Sequence, residues 1–123
     1  MATPVEHLVE RSVNTPRLAH RGRFLTTTWL LAVGADEYRI RIDDGVVTSV
    51  DRGTYAPDTF EFSLRAPAAD WALFWSADPP AGSHDLFALL KRGALEVEGN
   101  LQPFMANLQY IKDLLATLRE TSP

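Results

Sequence analysis

Asp58-Thr59-Phe60-Glu61-Phe62-Ser63-Leu64 opens the stretch, running to Leu118, whose reading decides the fold. Phe60, Phe62 and Leu64 alternate with Glu61, Ser63 and Arg65, the period-two signature of a strand with one buried face. Ala66-Pro67 then switches the period to helical, and Trp71, Phe74 and Trp75 stand at i, i+3 and i+4 on a helix predicted over 67–77. Asp78-Pro79-Pro80-Ala81-Gly82 must break it. Ser83 is placed to cap a second helix over 84–91, with Leu86, Phe87, Leu89 and Leu90 on its apolar side. Beyond Gly93, Leu95 and Val97 alternate with Glu96 and Glu98 in a short strand over 94–98, and Asn100 is a suitable N-cap. The final helix, predicted over 101–119, carries Phe104, Met105, Leu108, Ile111, Leu115 and Leu118 as one stripe, with Pro103 harmless in its first turn. This order describes a sheet roofed by helices that carry more large side chains than a small core needs.

Toward the N-terminus the signals are of the same two kinds. Thr3-Pro4-Val5-Glu6 has the form of a capping box for an amphipathic helix over 3–13, with Val5, Leu8, Val9 and Val13 on one face. Asn14-Thr15-Pro16 ends it, and 14–23 reads as an Arg-rich connector. Strands are expected over 24–33, 37–43 and 46–52, turned at Gly34-Ala35-Asp36 and at Asp43-Asp44-Gly45. In the second of them Tyr38, Ile40 and Ile42 share the face opposite Arg39 and Arg41. The resulting fold class is α+β: a five-stranded, mainly antiparallel sheet with helices packed on one face.

Composition removes several classes of function. At 123 residues the chain fits one domain, and 46% hydrophobic residues place it among proteins that fold without a partner. A net charge of -4 disfavours nucleic acid, whose recognition relies on clustered positive charge. The absence of Cys excludes disulfides, thiolate nucleophiles and Cys-ligated metals and fits a reducing compartment. Glu6 and Glu10 interrupt any signal-like apolar run, and no apolar segment approaches the ~20 residues that span a bilayer. A cytoplasmic protein without stable membrane insertion is therefore expected.

The hairpin Tyr38-Arg39-Ile40-Arg41-Ile42-Asp43-Asp44-Gly45, the strand at 58–64, the Asp70-Trp71 helix and the ending Gly93-Ala94-Leu95-Glu96-Val97-Glu98-Gly99-Asn100 together resemble the sterol carrier protein 2 (SCP2-like) domain. The match covers roughly 22–120, leaving 1–23 as an N-terminal helix and connector within a single-domain chain. The resemblance implies an apolar tunnel between helices and sheet that holds a fatty acyl chain, a sterol or a similar lipid, with no cofactor. This chain departs from the pattern in lacking a peroxisomal Ser-Lys-Leu ending and in its Pro79-Pro80-Ala81-Gly82 loop.

No catalytic constellation competes with that implication. His7, His20 and His84 form no metal-ligand pair, and Asp43-Asp44 is explained by the turn that Gly45 completes. Ser63, Ser76 and Ser83 lack a nucleophile-elbow context. Arg39 and Arg41 suit either an anionic head group or solvent. The expected function is non-enzymatic binding or transfer of a hydrophobic small molecule: a fatty acyl, sterol or isoprenoid-like lipid. Its expected site is walled by Trp71, Phe74, Trp75, Leu86, Phe87, Leu90, Phe104, Met105 and Leu108, residues that equally suit a plain core. Two alternatives stand beside it. One is an interaction or dimerisation module with a vestigial cavity, and the other a small cone-shaped α+β hydrolase or isomerase.

Overall fold

The computed structural model describes residues 4–119. A 3-10 turn, Pro4–His7, leads into α1 (Leu8–Val13) and α2 (Pro16–Arg21), followed by β1 (Thr27–Val33), β2 (Asp36–Asp43) and β3 (Val46–Gly53). After a second 3-10 turn come β4 (Phe62–Ala66), α3 (Ala68–Phe74), α4 (Leu86–Lys91), β5 (Glu96–Gly99), α5 (Leu101–Ala106) and α6 (Leu108–Ala116). The strands form one sheet in the order β3-β2-β1-β4-β5, antiparallel throughout except for the β1/β4 pair.

Register assigns the faces. Trp29 pairs with Ile40, Leu31 with Tyr38 and with Leu64, and Leu64 with Val97, so these side chains share the inner face with Phe62 and Ile42. The inner face and the helices form one hydrophobic core, in which Trp71, Phe74, Leu86, Leu89, Phe104, Ile111 and Leu115 are all buried. Leu30 and Ala32 point the other way yet are fully buried. Because β3 is an edge and β4 lies beyond β1, residues 54–61 must cross that outer face, where Tyr55 lies under the Arg39 guanidinium and Glu61 N–H donates to Thr28 O at 2.8 Å.

Four expectations change. Residues 16–21 are a helix rather than a connector: Pro16 starts α2 and Leu18 buries itself, while Arg21 pairs with Asp113 of α6. The apolar face expected over 3–13 holds only in part: Val5 and Leu8 are fully buried, and Ser12 Oγ, not on that face, is also buried and accepts from the edge N–H of Val47 at 2.9 Å. Val13 leaves the apolar face and is exposed, and Thr3 of the expected capping box lies outside the described residues. The cap of α4 is Asp85, whose carboxylate accepts from Ala88 N–H at 2.9 Å, whereas the Ser83 hydroxyl accepts from Arg92. Finally, the helix expected over 101–119 is two helices. The Asn107 side-chain amide donates to Pro103 O at 3.0 Å, the carbonyl that a continuous helix would offer to the Asn107 backbone N–H, and φ,ψ of -124°, 27° break the axis there.

Candidate functional site

The helical layer over the inner face is built from short pieces. α3 to α5 span seven, six and six residues, too short to be stable alone, so each is held by its buried side chains. Trp71, Phe74, Trp75, Leu86 and Phe104 lie in the interior, and Leu108 is half-buried against it. Phe87, Leu90 and Met105 instead stand on the surface at 49%, 41% and 56% exposure, Phe87 with Lys112 Nζ 5.5 Å over its ring. The nine expected wall residues are therefore divided between the inside of the helical layer and its outer surface.

Inside, two aromatic groups are resolved. On α3 Trp71 stacks on Trp75 at 5.3 Å and meets Phe74 edge-on at 5.8 Å. The indole N–H of Trp71 donates to Ala32 O at 3.0 Å and that of Trp75 to Leu115 O at 3.1 Å, tying α3 to β1 and α6. The second group joins sheet to helix: Trp29 stacks on Phe62 at 5.6 Å, and Phe62 meets Phe104 of α5 at 5.7 Å. Neither Trp29 nor Phe62 is among the expected wall residues, although Phe62 is expected on the buried face of its strand. Trp29 sits in the nearly continuous apolar run Trp29-Leu30-Leu31-Ala32-Val33, where no alternation marks which side chains meet the helices.

Of two hollows in the molecule, neither lies between the helices and the sheet, where buried aromatic side chains pack. One hollow, of about 260 Å³, lies on the outer face between Thr28, Arg39, Arg41, Ser49, Asp51 and Thr59. The other, about 460 Å³ and shallow, is bounded by Gly82, Ala88, Lys91 and Arg92.

The polar candidates are occupied with structure. Arg41 holds Asp43 at 2.8 Å and Thr28 at 3.1 Å; that hydrogen bond, with a second from Thr48, lowers the Asp43 carboxyl below its ordinary range. Asp44 has a left-handed φ of 50°, and its backbone N–H donates to Thr26 Oγ1, so this carboxylate pair is a turn. No cluster of His, Asp or Glu able to hold a metal occurs among the described residues, and no helix there is long and apolar enough to cross a membrane.

No protein-family profile matches the sequence, and a search of curated proteins found no match. Solved structures do match it. A crystal structure of sterol carrier protein 2 superposes with a TM-score of 0.75 at 15% identity, covering 97% of this chain and 95% of that one. The chain has the sterol carrier protein 2 fold. The apo form of sterol carrier protein 2 from Yarrowia lipolytica gives 0.59 at 11% identity, over 96% and 88% of the two chains. A ubiquinone synthesis protein, UbiJ-SCP2, gives 0.55 at 17% identity over 93% and 84%. In this SCP2-like fold the mostly antiparallel sheet contains one parallel pair, the β1/β4 contact described above.

Proposed function

We propose that the chain binds a hydrophobic small molecule, an acyl, sterol or isoprenoid-like lipid, between its helical layer and the inner face of the sheet, and acts as a carrier rather than an enzyme. The observation that carries this reading is where the exposed large apolar side chains fall. Of the seven exposed large apolar side chains among the described residues, five, Leu73, Phe87, Leu90, Leu101 and Met105, belong to α3, α4 and α5, whose other faces bury Trp71 and Phe74, Leu86 and Leu89, and Phe104; Val13 and Phe24 lie outside that layer. A layer that is apolar on both sides and built of one- or two-turn helices opens at little cost, and opening exposes a continuous apolar wall. Phe104 and Trp75 would line the inside, and Phe87 and Met105 the mouth. The Asp78–Gly82 link gives the layer its freedom, because its prolines and the positive φ of Gly82 keep it out of any helix. The SCP2-like fold, solved in sterol carrier proteins, supports the same reading.

Native mass spectrometry of the purified chain, alone and after incubation with a fluorescent fatty acid, tests it. One ligand per chain, displaced by unlabelled lipid and accompanied by a change in tryptophan emission, is expected. A folded protein that neither retains nor takes up any such ligand refutes the carrier reading.

A further inference from the structure

The chain has three tryptophans, Trp29, Trp71 and Trp75, and all are buried. Two of their indole N–H groups donate to main-chain carbonyls, as above. Trp29 Nε1 has no acceptor among the described residues, although Trp29 is 0% exposed. Buried indoles nearly always find a partner, since an unpaired donor forfeits a hydrogen bond it would make with water. An orphan in the same core as two satisfied neighbours calls for an acceptor that the described residues do not supply.

Its position says where that acceptor would sit. Trp29 stands on the inner face of β1, stacked on Phe62, which in turn meets Phe104 of α5. We propose that Trp29 Nε1 is the specificity-determining donor of the interior site, giving its hydrogen bond to a neutral oxygen on a hydrophobic ligand lodged between the Trp29–Phe62 pair and α5. This rests on the carrier reading and gives preference, within its ligand class, to apolar molecules that place an ester, ketone or hydroxyl oxygen at this position. A carboxylate does not suit the position. One neutral N–H cannot offset the desolvation of a charge, and Arg39 and Arg41 stand on the opposite face of the sheet. Apolar burial then supplies affinity, and the single donor in a dry interior supplies the preference for oxygen over plain hydrocarbon.

The test uses the full chain labelled with nitrogen-15, whose three indole N–H resonances report each tryptophan separately, and two probes of equal chain length, 2-dodecanone and dodecane. Loss of one resonance in Trp29→Phe assigns it; should that variant not fold, Trp71→Phe and Trp75→Phe assign it by elimination. The ketone should move the Trp29 signal downfield, dodecane should not, and neither should comparably move Trp71 or Trp75. In Trp29→Phe the ketone's advantage in affinity over dodecane, about threefold to tenfold for one net hydrogen bond, should vanish. Ketone binding with an unmoved Trp29 resonance, or an undiminished ketone preference in Trp29→Phe, overturns the inference while leaving a carrier in place. Uptake of neither probe nor any other lipid overturns the carrier reading itself.

Discussion

Replacing Phe104 by Ala separates a wall that opens from a core that does not. The ring is 2% exposed, 5.7 Å from Phe62 and tilted 46° to it, so truncation removes both buried apolar area and an aromatic contact. In a rigid core that loss costs about 3–5 kcal/mol, because the surroundings cannot collapse onto the void. Here the ring is carried by a six-residue helix whose axis already breaks at Asn107, so α5 can settle inward. The expected loss is accordingly about 2 kcal/mol, a fall of roughly 1 M in the urea midpoint at a slope near 2 kcal/mol/M. Affinity for a fluorescent fatty acid, titrated on the same sample, should change at least tenfold. A loss of 3–5 kcal/mol with unchanged affinity would refute the reasoning and make Phe104 simple core.

Tyr110→Phe should cost about 1–2 kcal/mol at neutral pH in urea unfolding, since the Gly45 carbonyl loses the hydroxyl that donates to it at 2.7 Å. Burial raises the Tyr110 hydroxyl above its ordinary pKa of 10.0, so its contribution is intact below pH 10 and falls as pH rises beyond it, by up to ~1.4 kcal/mol per unit. Alkaline unfolding of the Phe variant should be correspondingly shallower. Gly45→Ala should cost about 3 kcal/mol or more in thermal or urea unfolding, because φ is 82° and a Cβ would stand 2.6 Å from the Gly22 carbonyl carbon. Gly93→Ala, at φ 78° with open space around it, should cost only about 1–2 kcal/mol, which isolates the clash from the backbone strain. Asp85→Ala removes the cap of α4 and should cost about 1 kcal/mol, with faster amide exchange confined to residues 86–91.

The strands were legible wherever polar side chains alternate with apolar ones. Tyr38, Ile40 and Ile42 against Arg39 and Arg41, and Phe62 and Leu64 against Ser63 and Arg65, announce both the strand and its inner face. α2 was hidden because Pro16-Arg17-Leu18-Ala19-His20-Arg21 has a single large apolar residue, too little to show a period. The break at Asn107 was hidden for the opposite reason, since the apolar stripe continues across it and only a side-chain bond to Pro103 O diverts the backbone. At the candidate site the aromatic helix could be read directly, but the outward turn of Phe87, Leu90 and Met105 could not, because each lies within a turn of inward residues of the same kind. The orphan indole of Trp29 is invisible to any pattern, being a property of what surrounds the ring.

The parallel contact between β1 and β4 bears on the order in which the molecule comes together. β1, β2 and β3 are joined by tight turns and can zip as they are made, whereas β4 must return from the far edge across eight residues, 54–61, before Leu31 meets Leu64. Closing that seam costs loop entropy that no local contact offsets in advance, so it follows the meander rather than preceding it. Trp29 belongs to one side of the seam and Phe62 to the other. The aromatic floor of the interior is thus assembled only after the meander has formed, and a chain folded no further than the meander has no floor on which a lipid could rest.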